Sequence, residues 1–306
     1  MQGQMPAPTG RGAAGRQIAF QASSGNLQRR RIFNNLMTGL IGASTLLAVG
    51  VLALILGYIV FKGFPALNLA FFTQAPPALG QPGGGVGPAI RGSLLIIAIA
   101  SLIAVPVGVG AGIYLAEFGR GRFANGVRFV ADLLTGLPSI AVGAFAWAIL
   151  VRRVIGSYNA IAGGVALAII MIPIITRTVE EILKLVPNNL REASLALGTP
   201  QWRTIVSVVL PVARGGILTG VVLSLARAGG ETAPLLLTVL GNNFFSTNLR
   251  GPMAALPLEI YQLATRSPYP DSQTKAWGAA LVLIIVIGLL SVGVRLAARR
   301  ARLAQR

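Results

Sequence analysis

The chain has 306 residues, of which 54% are apolar and only 11% are charged, and its mean hydropathy is +0.72. Soluble domains carry about 25% charged residues, so most of this protein must be solvated by lipid rather than water. Because Cys and His are both absent, we expect no disulfide, no metal site built on thiolates or imidazoles and no Ser-His or Cys-His catalytic group. The net charge of +18 would indicate nucleic acid in a soluble protein, but here it reports membrane topology, so no nucleic-acid partner is expected.

Six segments are apolar over enough residues to cross a bilayer core of about 30 Å as helices. They run over approximately 36–61, 92–115, 127–151, 160–176, 212–228 and 277–296, and Leu137-Pro138-Ser139 interrupts the third. The first segment is longer than the core of a signal peptide and lacks a cleavage site, so it is predicted to stay as a membrane helix. The sequence therefore predicts an all-α, polytopic integral membrane protein with six transmembrane helices.

The segments outside these helices have a different composition. Residues 1–35 are polar and rich in Gly and Arg, which predicts a disordered basic tail, and residues 299–306 form a second basic tail. Residues 62–90 are predicted to form an outer loop, because the run from Ala75 to Pro88 is too rich in Pro and Gly to remain helical. A second outer stretch, 232–275, begins apolar and is predicted to hold a re-entrant or interfacial helix.

Orientation follows from the positions of the cations, since Lys and Arg accumulate in short cytoplasmic loops. With the amino terminus inside, 18 of the 26 cations lie on the inner face and seven lie outside. One, Arg227, remains within a membrane segment. This distribution predicts that both termini are cytoplasmic.

The inner loop between the fourth and fifth segments, residues 187–211, is predicted to form a two-helix elbow. Pro187 starts its first helix, Gly198 ends it and Pro200 opens a second. An apolar face is expected on the second helix, formed by Trp202, Ile205 and Val206. On its pattern alone, the loop is better explained as a plain amphipathic connector.

The residues of this elbow resemble the EAA motif of ABC importer permeases, which reads Glu-Ala-Ala, three residues, Gly, nine residues, Ile, one residue, Leu-Pro. The matching positions are Glu192, Ala193, Ser194, Gly198, Val208, Leu210 and Pro211, with Ser194 and Val208 as mild departures. The stretches from Gly92 to Glu117 and from Leu225 to Leu236 are similar to phosphate-importer permeases of the PstA type. This resemblance covers roughly residues 36–298.

The resemblance implies a type I ABC importer permease core, MetI-like, over residues 91–298, in the plasma membrane of a bacterium. It implies that the elbow positions named above, apart from Val208, couple the chain to a separate ATPase. The implied partners are a PstC-like permease that builds the other half of the pathway, a PstB-like ATPase dimer and a PstS-like phosphate-binding protein. No Walker A sequence surrounds any of the three lysines, so ATP and Mg²⁺ are expected on the partner ATPase and no cofactor on this chain.

Three charged residues in or near the membrane are candidates for the substrate pathway. Arg227 and Glu231, four residues apart, form either an ion pair that fixes helix packing or a site where a guanidinium meets the phosphate anion. Arg177, followed by Glu180 and Glu181, is either an interfacial anchor or an inner waypoint or gate. The resemblance places functional residues at Arg227, Glu231 and Arg177. Asp132 is expected only to make a polar contact near the inner interface.

Three other functions remain open at this point. A permease for another oxyanion, such as sulfate or molybdate, would share the elbow, although the stretch Gly230 to Pro234 favours phosphate. A secondary transporter or channel that works without ATP would be expected to contain an inverted repeat, which the sequence does not display, and it leaves the elbow unexplained. A membrane scaffold without transport would make Arg227 replaceable.

Overall fold

The computed structural model describes residues 24–77, 81, 83–265 and 269–303, and it separates the chain into two units, residues 1–58 and 59–306. Helix α1 spans Ser24–Gly63; its residues 24–58 make up the described part of the first unit, and none of residues 28–58 is buried. Because α1 begins at Ser24, the disorder expected up to residue 35 is wrong for residues 24–35. Extending an existing helix costs far less than starting one, so the apolar segment carries its polar flank into helix. Residues 1–23 lie outside the described residues.

The second unit is helical wherever it is regular, apart from a single β-bridge between Leu240 and Met253 among its described residues. Its helices are α2 Leu69–Thr73, α3 Gly87–Ile113, α4 Arg122–Gly136, α5 Ser139–Ala146, α6 Ala160–Lys184, α7 Asn188–Ala196, α8 Gln201–Thr204, α9 Leu210–Gly229, α10 Ala233–Thr238, α11 Leu256–Thr265 and α12 Pro270–Leu303. The described residues also contain three π-helical stretches. Tyr114–Phe118 extends α3, Trp147–Ile155 extends α5, and Ile205–Val209 joins α8 to α9.

Helices α3 and α6 form the centre of the second unit and run parallel. Gly164 near the start of α6 lies against Ile99, and Gly108 further along α3 lies against Ile175, where an added Cβ would be 2.8 Å from the Ile175 Cβ. From the first contact to the second, the residue numbers increase on both helices, so the helices point in the same direction. Small residues at these positions let the helix backbones approach closely, as is common in membrane bundles.

The parallel packing decides how the chain between these two helices must run. Because α3 and α6 begin at the same end of the unit, the intervening residues 114–159 have to return across its full height. They do so as the bent pair α4 and α5, which meet at an angle of 105°. Pro138 lies at the bend, where its ring and missing N–H end the helix. With five long apolar helices and this bent pair, the structure agrees with the six predicted spans.

The remaining long helices complete the bundle. Helix α9 is antiparallel to α6, since Gly216 lies against Ile182 while Gly220 lies against Thr178. We call the end where α3 and α6 finish and α9 begins the elbow end, and the opposite end the distal end. A buried cluster of mainly aliphatic residues from α3, α6, α9, α10 and α11 holds these helices together.

The distal end contains more regular structure than predicted. The loop 62–90 includes a 3₁₀ turn, Phe64–Ala66, and helix α2, which begins at the Asn68 side chain that accepts a hydrogen bond from the Phe71 N–H at 2.8 Å. Phe71 is buried in a second cluster with residues of α3, α11 and α12. In the stretch 232–275, helix α10 lies at the apolar residues where a re-entrant or interfacial helix was expected, and a second short helix, α11, follows it.

Candidate functional site

The elbow folds as its sequence predicts. Helix α7 begins after Pro187 and ends before Gly198, whose φ of +75° is in the left-handed region that favours glycine. Pro200 precedes α8, and the π-helical stretch then leads into α9 at Leu210 and Pro211. The elbow therefore joins α6 to α9 through two short helices and the π-helical stretch.

The outer surface of the elbow is exposed and partly apolar. Glu192 and Ala193 are exposed, and Leu197, Trp202 and Val206 are 86%, 64% and 58% exposed. Ile205, expected on the same apolar face, is buried instead at 5% exposure. It lies in the π-helical stretch, whose wider turn changes the direction of its side chains relative to an α-helix. An exposed face of this kind at the end of a bundle is suited to a protein partner.

The inner surface of the elbow is attached to the bundle by polar contacts. Ser194 and Thr204 share a hydrogen bond of 2.9 Å between their hydroxyl groups, which links α7 to α8. Arg191 turns into the protein and forms an ion pair with Glu117 at 2.7 Å. Neither Arg191 nor Glu117 was predicted to be a functional residue, and the only signal in the sequence is that a cation directly precedes the EAA match.

Arg177 belongs to a network of ion pairs at the elbow end of α6. Its guanidinium donates to both carboxylate oxygens of Asp132 on α4, with Nε 2.7 Å from Oδ1, and to Glu180 at 3.1 Å. Of the two acidic residues that follow Arg177, Glu180 pairs with it, whereas Glu181 pairs with Lys184. Asp132 thus makes a bidentate ion pair, a stronger contact than expected from the sequence.

Glu180 is the centre of this network and was not recognised as such in the sequence. Its side chain is fully buried and lies 2.6 Å from Arg128, 2.9 Å from Lys184 and 3.1 Å from Arg177. Arg128 on α4 also donates to the carbonyl oxygens of Leu115 and Gly119, where α3 ends. A buried carboxylate requires such partners. The network therefore fastens α4 to α6 and to the end of α3.

Arg227 and Glu231 are paired far more loosely. Their closest approach is 3.9 Å, between Nε and Oε1, which is an ion pair but too long for a hydrogen bond. Arg227 lies in the last turn of α9, and Glu231 lies beyond the end of that helix, which finishes at Gly229. The Arg227 side chain is 51% exposed and that of Glu231 is 17% exposed. The structure thus brings the two candidates together while leaving the guanidinium accessible.

The three pathway candidates do not form one cluster. Gly220 of α9 lies beside Thr178 of α6, and Arg227 is seven residues further toward the distal end. At 1.5 Å per residue, Arg227 lies about 10 Å from the level of Arg177 along the bundle. The structure therefore separates one loosely paired cation near the distal end from one tightly paired cation near the elbow end.

The chain is similar in sequence to known membrane transport proteins. The family described as "Binding-protein-dependent transport system inner membrane component" matches residues 108–303. A protein of Pasteurella multocida named "Phosphate transport system permease protein PstA" is 45% identical over 268 residues, which cover 87% of this chain and 95% of that protein. A protein of Mycobacterium tuberculosis named "Phosphate transport system permease protein PstA 1" is 38% identical over 283 residues, 90% of this chain and 92% of the relative.

Solved structures of similar fold are also known. A chain of the MetNI methionine ABC transporter in an inward-facing conformation has a TM-score of 0.54 at 20% identity, with 70% of this chain and 95% of that chain covered. A chain of a bacterial ABC transporter involved in the import of the acidic polysaccharide alginate has a TM-score of 0.55 at 14% identity, covering 88% and 99%. At these identities the likeness concerns the fold alone, and it confirms the predicted all-helical, MetI-like permease core.

Proposed function

Because the chain belongs to the binding-protein-dependent transport system inner membrane components, and within them to the PstA permeases, we propose that it is a membrane subunit of an ATP-driven importer of inorganic phosphate. The protein is a multi-pass membrane permease. The observation that carries the proposal is its high identity, along nearly the full length of the relatives, to proteins named as phosphate permeases. These relatives do not favour the alternative of a sulfate or molybdate permease.

The proposed mechanism is alternating access, with ATP hydrolysed on separate subunits. The exposed surface of the elbow, with Glu192, Ala193 and Leu197, docks on a PstB-like ATPase dimer, which binds ATP and Mg²⁺. Ser194, Gly198, Leu210 and Pro211 keep the elbow rigid between α6 and α9, so closure of the dimer moves both helices. A PstC-like permease supplies the other half of the pathway, and a PstS-like protein delivers phosphate to the distal end. Both termini of this chain lie in the cytoplasm.

Arg227 receives the anion in this mechanism. Its guanidinium is half exposed and its contact with Glu231 exceeds hydrogen-bond length, so its donors can face a phosphate oxyanion in the bidentate geometry that arginine favours. The nearby carboxylate of Glu231 opposes the anion and limits the lifetime of the bound state. A conduit requires this, because substrate that binds too tightly is not released.

Arg177 acts as a gate nearer the elbow end. In this structure its charge is balanced by Asp132 and Glu180, which hold α4 against α6. An anion moving inward from Arg227 competes with these carboxylates for the guanidinium. Exchange of partners at Arg177 would loosen α4 and open the inner part of the pathway.

The test is phosphate uptake by cells or vesicles that contain the complete transporter, at matched levels of this chain in the membrane. Arg227→Gln should reduce phosphate uptake at least about tenfold, since a buried or half-buried charge contact to the substrate is worth more than about 1.4 kcal/mol. Arg250→Gln is the matched control, because it removes an exposed distal cation whose side chain makes no described contact, and it should transport normally. Normal uptake by Arg227→Gln would remove the pathway role, and ATP-driven uptake of sulfate or molybdate in place of phosphate would overturn the substrate assignment.

A further inference from the structure

Arg191 faces the bundle although it lies on the exposed elbow helix α7. Its side chain is 18% exposed, while the adjacent Glu192 is exposed. The guanidinium donates to both carboxylate oxygens of Glu117, to the carbonyl oxygen of Val186 at 2.6 Å and to that of Leu183 at 2.8 Å. A further contact of 3.3 Å reaches Asn188. One side chain thus contacts three separate parts of the second unit.

Glu117 supplies the anionic side of this contact from the far end of α3. It lies in the π-helical stretch Tyr114–Phe118, and its side chain is only 7% exposed. π-helical turns are rare and energetically inferior to α-helix, so they persist where they aim a side chain at a particular partner. An ion pair this deeply buried is strong only while both members are present, because removal of one leaves an uncompensated charge.

The two carbonyl contacts attach Arg191 to α6 as well. Leu183 is in the last turn of α6 and Val186 follows its end, where carbonyl groups lack helical partners and carry partial negative charge. A cation there donates hydrogen bonds to these carbonyl groups and balances their partial negative charge. Since α3 and α6 pack closely along their length through Gly108 and Gly164, Arg191 is fixed to a pair of helices that must move together.

We propose that Arg191 and Glu117 form the joint that transmits motion of the elbow to α3 and α6. This rests on the proposed function, in which a partner ATPase displaces the elbow. Without the joint, α7 would remain connected through the chain at its two ends, through the Ser194–Thr204 hydrogen bond and through its packing against the π-helical stretch Ile205–Val209. The Ser194–Thr204 contact links α7 to α8 and does not reach α3. Arg191 is therefore a positioning residue that couples ATP hydrolysis to transport without touching the substrate.

The experiment uses the complete transporter reconstituted in liposomes with its binding protein, and it measures phosphate uptake and ATP hydrolysis in the same sample. Arg191→Gln and Glu117→Gln should each assemble and hydrolyse ATP, but the phosphate moved per ATP should fall at least about fivefold, the lower range of coupling between distant sites. The double variant should be no worse than either single variant, because both remove the same contact. Arg120→Gln, which removes an exposed cation from the neighbouring loop, should keep the wild-type ratio.

Two further variants distinguish coupling from folding. Arg191→Lys keeps the charge but loses the planar fork, so it should assemble and show an intermediate ratio of phosphate to ATP. Exchange of the pair, Glu117→Arg with Arg191→Glu, should restore part of the ratio lost in the single variants. A wild-type ratio in assembled Arg191→Gln would overturn the proposal, and so would loss of assembly in every variant including Arg191→Lys, since the pair would then serve folding alone. If the wild-type complex moves no phosphate, the proposed function itself fails, which is a separate result.

Discussion

The contact between α3 and α6 gives a sharp prediction, because two glycines on α3 differ in what surrounds them. An added Cβ at Gly112 would lie 2.6 Å from the Val179 Cβ and 2.8 Å from the Thr176 carbonyl oxygen, whereas at Gly110 nothing lies within 4 Å. Carbon atoms attract best at about 3.5–4.0 Å, so Gly112→Ala requires the helices to separate locally by roughly 1 Å. Gly110→Ala requires no movement.

The two substitutions should therefore change stability in opposite directions. Alanine is favoured over glycine within a helix by about 0.5–1 kcal/mol, a gain that both variants share. Overpacking costs about 1–3 kcal/mol and applies only at Gly112. We expect Gly112→Ala to be less stable than Gly110→Ala by about 1–3 kcal/mol, with Gly110→Ala at or above wild type.

The measurement is thermal unfolding of the purified transporter in detergent, with the same chain concentration and lipid content for all three proteins. Gly112→Ala should unfold at a lower temperature than wild type and Gly110→Ala should not. Equal unfolding temperatures for the two variants would refute the close parallel packing of α3 and α6, and with it the argument that residues 114–159 cross the membrane. A larger loss for Gly110→Ala than for Gly112→Ala would reverse the assignment of the faces of α3.

Three further predictions concern charged groups and orientation. Glu180→Gln should destabilise the protein by about 3 kcal/mol, because three cations lose a fully buried partner. The Glu181 side chain is 64% exposed, so Glu181→Gln should be nearly neutral. Equal thermal stability of the two variants would contradict the network. Burial raises the pKa of Glu259 from 4.5 to about 7, so the folded state favours its protonated form. The contribution of Glu259 to stability should be fully present below about pH 4.5 and be lost, by about 3 kcal/mol, as the pH rises through 7. Glu259→Gln should flatten that decline in unfolding temperatures measured from pH 5 to 8, and an unchanged pH profile would exclude Glu259 as its source. Leu195→Cys, a single thiol in a chain without cysteine, should react with membrane-impermeant maleimide only after the cells are opened, and labelling of intact cells would reverse the orientation.

The sequence was sufficient for the elements whose signals are local. Apolar length predicted the membrane helices, and proline and glycine predicted both ends of α7 and the bend at Pro138. The boundaries were less accurate where polar residues continue a helix, as at Ser24 in α1 and at Lys184 in α6, because tertiary contacts and helix propagation extend the element beyond its apolar core.

The polar network could not be predicted, because its members are far apart in the chain. Arg128 and Glu180 are 52 residues apart, and Arg191 and Glu117 are 74 apart. Spacing along a helix indicates partners three or four residues away. Arg177 and Glu180 have this spacing, but Asp132 is 45 residues from Arg177 and its pairing cannot be inferred from spacing. Only the parallel placement of α3 and α6 brings these groups to one end of the bundle.

The arrangement around Glu180 also has a consequence for the way the protein is made. Arg177 and Lys184 lie on the same helix as Glu180, about one turn before it and one turn after it. Helix α6 therefore carries two counter-charges for its buried carboxylate while it is being synthesised, and its insertion into the bilayer need not wait for another segment. Arg128 on α4 completes the set when the bent pair packs against α6. The energetic penalty of one buried acid is thus divided between contacts within its own helix and a contact with another helix.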